Sequence, residues 1–374
     1  MATHIGSRWG DGTDLITLFG RGYSDLDLRR YFGDSAVVAG ARRVALREGK
    51  ARGTELTQVS TGTGLIYEVN ESRGMDLGRC VYKGIPISYQ SYDKEVHPSY
   101  FEPYGDNWLR AYGGGLMVSC GLRSTGAPCE DSEETLPLHG RLSSIPAERV
   151  NIEEYTKGTD SFISTSGIIR ESKALNFNLV VRRSITSKVG SNEICIEDEI
   201  ENEGFERQDL MLLYHFNVGH PILDEGSRFY SDSESVEPRD ETAASQQEPY
   251  DEYLAPTPHY GDIVYYHKLR PRGGTCTVGI INKRLNLGLE LDFRRDELDC
   301  FTQWKFTGEG NYVAGLEPGN AFVSGRPVER AQGRLKCIDP QEKKHVGITV
   351  RILTTDEEIS RVEDVTCAQG NNRF

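Results

Sequence analysis

Short alternations of apolar and polar residues recur along this chain, and that period constrains its fold more than any other feature. The stretches "GTELTQVS" (53–60), "LIYEV" (65–69), "SFISTSGIIRES" (161–172), "ALNFNLVVRRSI" (174–185), "EICIEDEI" (193–200) and "GTCTVGIIN" (274–282) all follow it. They are rich in β-branched residues and bounded by Gly, Asn, Ser or Lys-Gly turns. A period of two marks strands with one face buried. Helical signals are confined to "DLDLRRYF" (25–32) and "SIPAERV" (144–150). Forty glycines supply the turns that so many short strands require. The expected architecture is all-β, a large antiparallel sandwich with few short helices. "NLVVRRSI", "SNEICIEDEIENEG" and "LLYHFNVG" follow one another in the manner of a meander.

The 374 residues are enough to bury a large core, and no internal repeat divides them. The one composition shift is the acidic stretch from 230 to 262, containing Pro and Ser. As a linker it would split the chain near residue 240. Strand patterns continue in the same style on both sides, so it reads better as a long surface loop. The expectation is one domain over 1–374, with residues 1–35 as a peripheral extension and 360–374 as a frayed tail. A net charge of −14 gives no support to nucleic-acid binding. The opening residues lack the apolar run of a signal peptide, and no stretch is long and apolar enough for a membrane span. The chain is therefore expected in the cytoplasm, with no membrane partner. Eight cysteines without a C-x-x-C pair are expected to be free and mostly buried thiols.

Residues capable of chemistry cluster in glycine-rich stretches. "NESRGMDLGRCVYKGIPI" (70–87) carries Arg73 and "NWLRAYGGGLMVSCGL" (107–122) carries Trp108 and Arg110. "LHGR" holds His139 and Arg141, and "LLYHFNVGHPILD" holds His215, Asn217, His220 and Asp224. "FTQWKFTGEGNYVAGLEPGN" (301–320) holds Trp304, Lys305 and Glu317. Alone, a histidine in an apolar run is most simply a hydrogen-bonded core residue, and a strand-end glutamate is most simply solvated. Together they suit sugar chemistry. A carboxylate facing an imidazole across a hemiacetal can take the anomeric hydroxyl proton while the ring oxygen is protonated.

"LHGR", "LLYHFN" and "AGLEPGN", in that order, resemble the aldose 1-epimerase (galactose mutarotase-like) superfamily. "SRGMDLGRCVYKGIPI", "WLRAYGGGLMVSCGL" and "QWKFTGEGNYVAGLEPGN" are similar to recurring segments of its bacterial aldose-1-epimerase-like branch. The likeness covers roughly residues 35 to 330. It implies a single β-supersandwich and a cofactor-free isomerase acting on a small-molecule carbohydrate, as a monomer or homodimer. It implies Glu317 as general base, His215 as general acid and His139 as the second histidine near the ring oxygen. Arg110 occupies about the place of the superfamily's substrate arginine. Arg73, Arg141, Asn217, Trp304, Lys305 and Asp224 are further expected substrate-binding residues, and no metal ligands are expected. Arg141 replaces the glycine of the usual L-H-G-G, which suggests either a polar or acidic sugar or a structural salt bridge to a nearby acid. Two other classes remain open: a sugar isomerase or lyase, metal-dependent or not, using the same histidines, and a carbohydrate-binding protein without turnover.

Overall fold

A computed structural model describes residues 16–367, apart from 25–27, 29, 132–133, 159 and 247. Two large antiparallel sheets, of 11 and 8 strands, dominate it. The stretches that alternate in sequence are strands here, among them Glu55–Ser60, Leu65–Asn70, Asp160–Ser172, Glu193–Asn202 and Thr275–Asn282. The all-β expectation holds.

Six strands make up the middle of the larger sheet: β1 (Asp76–Tyr82), β2 (Met117–Cys120), β3 (Leu213–Gly219), β4 (Ile263–Leu269), β5 (Cys300–Gly308) and β6 (Asn311–Gly319). They lie side by side in the order β4, β5, β6, β3, β2, β1, with Ser233–Pro238 pairing on the outer side of β4. Successive side chains on a strand point to opposite faces. On one face, Phe216, Phe301 and Leu316 share an apolar cluster with Val181, Ile196, Leu289 and Ile348 of the smaller sheet. Each side chain so buried contributes about 1.5–3 kcal/mol. On the other face, Val118, Leu213 and Val313 join Trp108 and Tyr112 in a second cluster, with Trp304 and Phe306 against it. The larger sheet is therefore covered on both sides at its centre, and every residue of β3 is buried.

Arg183, on the strand Asn178–Lys188 of the smaller sheet, reaches across the interior. It forms a two-pronged ion pair with Asp198 at 2.6 and 2.8 Å and donates to Ser119 Oγ and to the carbonyl of Gly74. Tyr214, one residue before His215, donates its hydroxyl to the same Asp198 at 2.7 Å. These bonds leave no charge of the pair unsatisfied, as burial requires.

The structure departs from the sequence reading in three places. Asn178–Lys188 and Glu193–Asn202 are neighbours in the smaller sheet, but the third strand of the supposed meander, β3, belongs to the other sheet. Its burial on both faces requires a central place, which a meander edge would not give. "SIPAERV" is not helical: a 3-10 turn at Leu142–Ser144 precedes Pro146, and Glu148–Lys157 is a strand. Proline disfavours helical geometry in the residue before it. Of the segment 25–32, Leu28, Arg30 and Tyr31 are helical and four residues lie outside those described. The acidic stretch is built into the larger sheet through Ser233–Pro238, with a short helix at Glu241–Ala244.

At the ends, Leu18 and Leu28 belong to the main apolar cluster. Residues 1–15 of the expected extension lie outside the described part. The expected frayed tail is helical over Asp356–Cys367, with Ile359 and Val362 packed on Tyr230 and Leu353, and 368–374 lie outside the described residues. Among the described residues, seven cysteines are free thiols, five of them buried. No helix among the described residues is long and apolar enough to cross a membrane.

Candidate active site

Register brings the expected catalytic residues together. β3 and β6 pair Leu213 with Gly319 and Phe216 with Leu316, which sets His215 opposite Glu317. β5 continues the row with Thr302 beside Glu317, and β2 places Val118 beside His215. His215 Nε2 lies 3.2 Å from Glu317 Oε1, and both side chains are almost wholly buried. Gly315, two residues before Glu317 on the same face, makes room for the carboxyl. A Cβ at 315 would stand 2.6 Å from Glu317 Oε1 and 3.0 Å from Trp304 Cβ.

His139 arrives from a loop rather than a strand. Its backbone N–H donates to Gly126 and its carbonyl accepts from Gly121. Gly140 follows with φ +75°, and a side chain there would collide with the carbonyl oxygens of Ser124 and Gly121. That is the local reason for the glycine of "LHGR". The His139 ring packs edge-on to His215 at 5.5 Å between centroids and lies against Trp108 at 4.9 Å. Trp108 stacks on Tyr112. Tyr112 donates to Asn217 Oδ1 at 2.6 Å, and Asn217 Nδ2 donates to the carbonyl of His215.

Above this floor opens a cleft of about 600 Å³. Trp304, Phe306, Tyr89, Tyr92, Trp108 and Tyr112 give it aromatic walls. Its charged lining is Glu317, Asp262, Arg239 and Asp93. Arg239 binds Asp240 at 2.8 Å and Asp262 at 3.0 Å, while Trp304 Nε1 donates to Asp262. Asp93 is paired with Lys50 at 2.7 Å.

Burial dominates the electrostatics of the centre. Burial raises the Glu317 carboxyl well above the usual range, the Asp262 charge adds to this, and Arg239 opposes it. Burial lowers His215 to about 4. Burial, and then the neighbouring His215, lowers His139 to about 3. Burial thus shifts both members of the pair toward their neutral forms. His139 Nδ1, His215 Nδ1, Trp108 Nε1 and Thr302 Oγ1 are buried and have no protein partner. All four residues line the cleft, so polar capacity is concentrated where a ligand would lie.

Of the expected site residues, Glu317, His215, His139 and Trp304 line the cleft and the other six stand outside its lining. Asn217 sits fully buried behind Tyr112. Lys305 projects from the opposite face of β5 and pairs with Glu248 at 2.8 Å. Arg73 is buried, donating to the carbonyl of Val96. Exposed Arg110 donates to Asn107 Oδ1. Arg141 acts on buried Glu171, whose carboxyl burial raises to about 7 against the pull of Arg123 and Arg141. Asp224 is paired with Arg284 and His220. The sequence reading missed Arg239, Asp262, Tyr112 and Thr302. The first two lie within the acidic stretch, and that position was the one available signal. Among the described residues, no three His, Cys, Asp or Glu side chains are arranged to hold a metal ion.

The two-sheet sandwich is a galactose mutarotase-like fold. Residues 51–352 match the family described as a domain of unknown function, DUF4432, and the chain belongs to that family. It is similar to a Klebsiella pneumoniae structure described as a "putative aldose 1-epimerase", with 27% identity and a TM-score of 0.84 over 89% of this chain and 88% of that one. A galactose mutarotase-like protein from Clostridium acetobutylicum shares the fold at 12% identity and a TM-score of 0.59, over 85% of this chain and all of the other. Galactose 1-epimerase from Lactobacillus acidophilus does so at 10% and 0.54, over 84% and 98%. No curated protein matches the chain.

Proposed function

We propose that this protein is a cofactor-free carbohydrate epimerase that interconverts the anomers of an uncharged sugar. The observation that carries the reading is the carboxyl–imidazole pair of Glu317 and His215, 3.2 Å apart at the base of an aromatic cleft. The two oxygens on an anomeric carbon share one atom, so the groups that serve them must stand side by side. In ring opening, Glu317 as base takes the proton of the anomeric hydroxyl and His215 as acid protonates the ring oxygen. The bond from the anomeric carbon to the ring oxygen breaks and the carbonyl forms. Rotation and the reverse transfers close the ring on the other face. The carboxylate–imidazolium arrangement this needs is one proton transfer away from the neutral pair, across the same contact. Each positioned acid or base contributes on the order of 10²–10⁴ in rate.

His139 holds the sugar near its ring oxygen, and Trp304 offers a flat apolar face. Asp262 and Arg239 present forked hydrogen bonds to hydroxyls. Arg141, the reason for expecting an acidic sugar, is not in the cleft lining, and Arg239 is already neutralised by two aspartates. An anionic substituent gains little there, which favours an uncharged substrate. NMR measurement of anomer exchange across aldoses, ketoses and uronic acids tests the reading. Acceleration for neutral sugars supports it, and no acceleration for any sugar overturns it.

A further inference from the structure

The cleft is longer than the reaction needs. Glu317, Val313 and Asn311 stand on one face of β6, with Thr302, Trp304 and Phe306 beside them on β5. From Glu317 to Asn311 the strand covers about 20 Å at ~3.3 Å per residue. A single pyranose on the catalytic pair fills only one end. The volume of about 600 Å³ falls within the ~300–1,000 Å³ that suits ligands of drug size.

The far end has its own construction. Tyr89 donates its hydroxyl to Asn311 Oδ1 at 2.7 Å. The Tyr92 hydroxyl rests over Gly310 and leaves no room for a Cβ there. Tyr92 is nonetheless 72% exposed, so its ring is offered to solvent at the cleft wall. Phe306 floors this end, 6.1 Å from the Trp304 ring and 6.0 Å from Tyr260. The one acid here, Asp93, is engaged by Lys50. Aromatic faces joined to an amide and hydroxyls suit the C–H face and hydroxyl edge of a neutral sugar ring.

We infer that this end is a second sugar subsite, and that the substrate is a neutral oligosaccharide entering by its reducing end. Its anomeric carbon meets Glu317 while the next unit lies on Phe306, between Tyr92 and Asn311. The inference rests on the epimerase reading for the direction of the chain, but its binding claim is separately measurable. Anomer exchange and calorimetric binding are to be measured on the full chain with glucose, cellobiose, galactose and lactose. Each disaccharide should show a KM and Kd at least tenfold below those of its monosaccharide. Phe306→Ala and Tyr92→Ala should weaken the disaccharide about tenfold more than the monosaccharide. Tyr92 is exposed, so its variant tests the subsite even if Phe306→Ala fails to fold. Equal affinities, variants that weaken both sugars alike, or binding of none of the four overturns the subsite. Disaccharide preference without exchange keeps the subsite and removes the epimerase, and exchange without preference does the reverse.

Discussion

At Glu317 burial works against charge, and this has measurable consequences. Its folded carboxyl titrates well above the usual range. Its contribution to stability is therefore full below the unfolded value of about 4.3 and is lost as pH rises through the folded value. Glu317→Gln, which cannot ionise, should gain in melting temperature relative to the parent as pH is raised. The same variant should slow anomer exchange by about 10²–10⁴ while sugar binding persists. Thermal melts at two pH values, set beside the NMR rate, check both. The pair needs one proton and no more. The rate should fall below about pH 4 as His215 takes up a second proton, and fall again at high pH as Glu317 loses its own. A profile rising steadily with pH would contradict a shared proton.

Strands explain which site residues the sequence revealed and which it hid. His139, His215 and Glu317 were legible because three short segments in a fixed order resemble a known superfamily. Trp304 and Lys305 illustrate the limit of residue type. They are neighbours on β5, so strand geometry forbids both from facing the cleft, and the lysine belongs to Glu248 in the interior. Alternation distinguishes two faces without saying which one carries the site. Arg239 and Asp262 were hidden for another reason. They lie within a stretch whose composition resembles a loop, and the pairing of Ser233–Pro238 with β4 draws them to the cleft. Gly315 makes the point in reverse, since a missing side chain positions the carboxyl. Gly315→Ala should displace Glu317 and lower the rate about 10²-fold, the scale expected for a 1 Å misplacement. Rate and KM, measured separately, check that the loss is in turnover.

Across the whole molecule, both sheets draw strands from both sides of residue 240, so no cut near that position leaves either sheet intact. Chemical unfolding followed by fluorescence and circular dichroism should show one coincident transition. Arg183 ties the sheets beneath the site, and its loss would strand Asp198 in the interior. Arg183→Leu should cost about 3–5 kcal/mol of stability, read as a lower denaturant midpoint. The sandwich itself was foreseeable from period and turn spacing. The path of β3 into the larger sheet was not, because its neighbour in sequence lies in the other layer.

The back-to-back placement of Trp304 and Lys305 bears on how such a protein can be inherited and altered. Replacing either letter disturbs one face of one strand. Inserting or deleting a single residue ahead of them would turn the lysine into the cleft and the tryptophan into the interior, and would do the same to every residue downstream on β5. In these strands the molecule can absorb a change of spelling far more readily than a change of count.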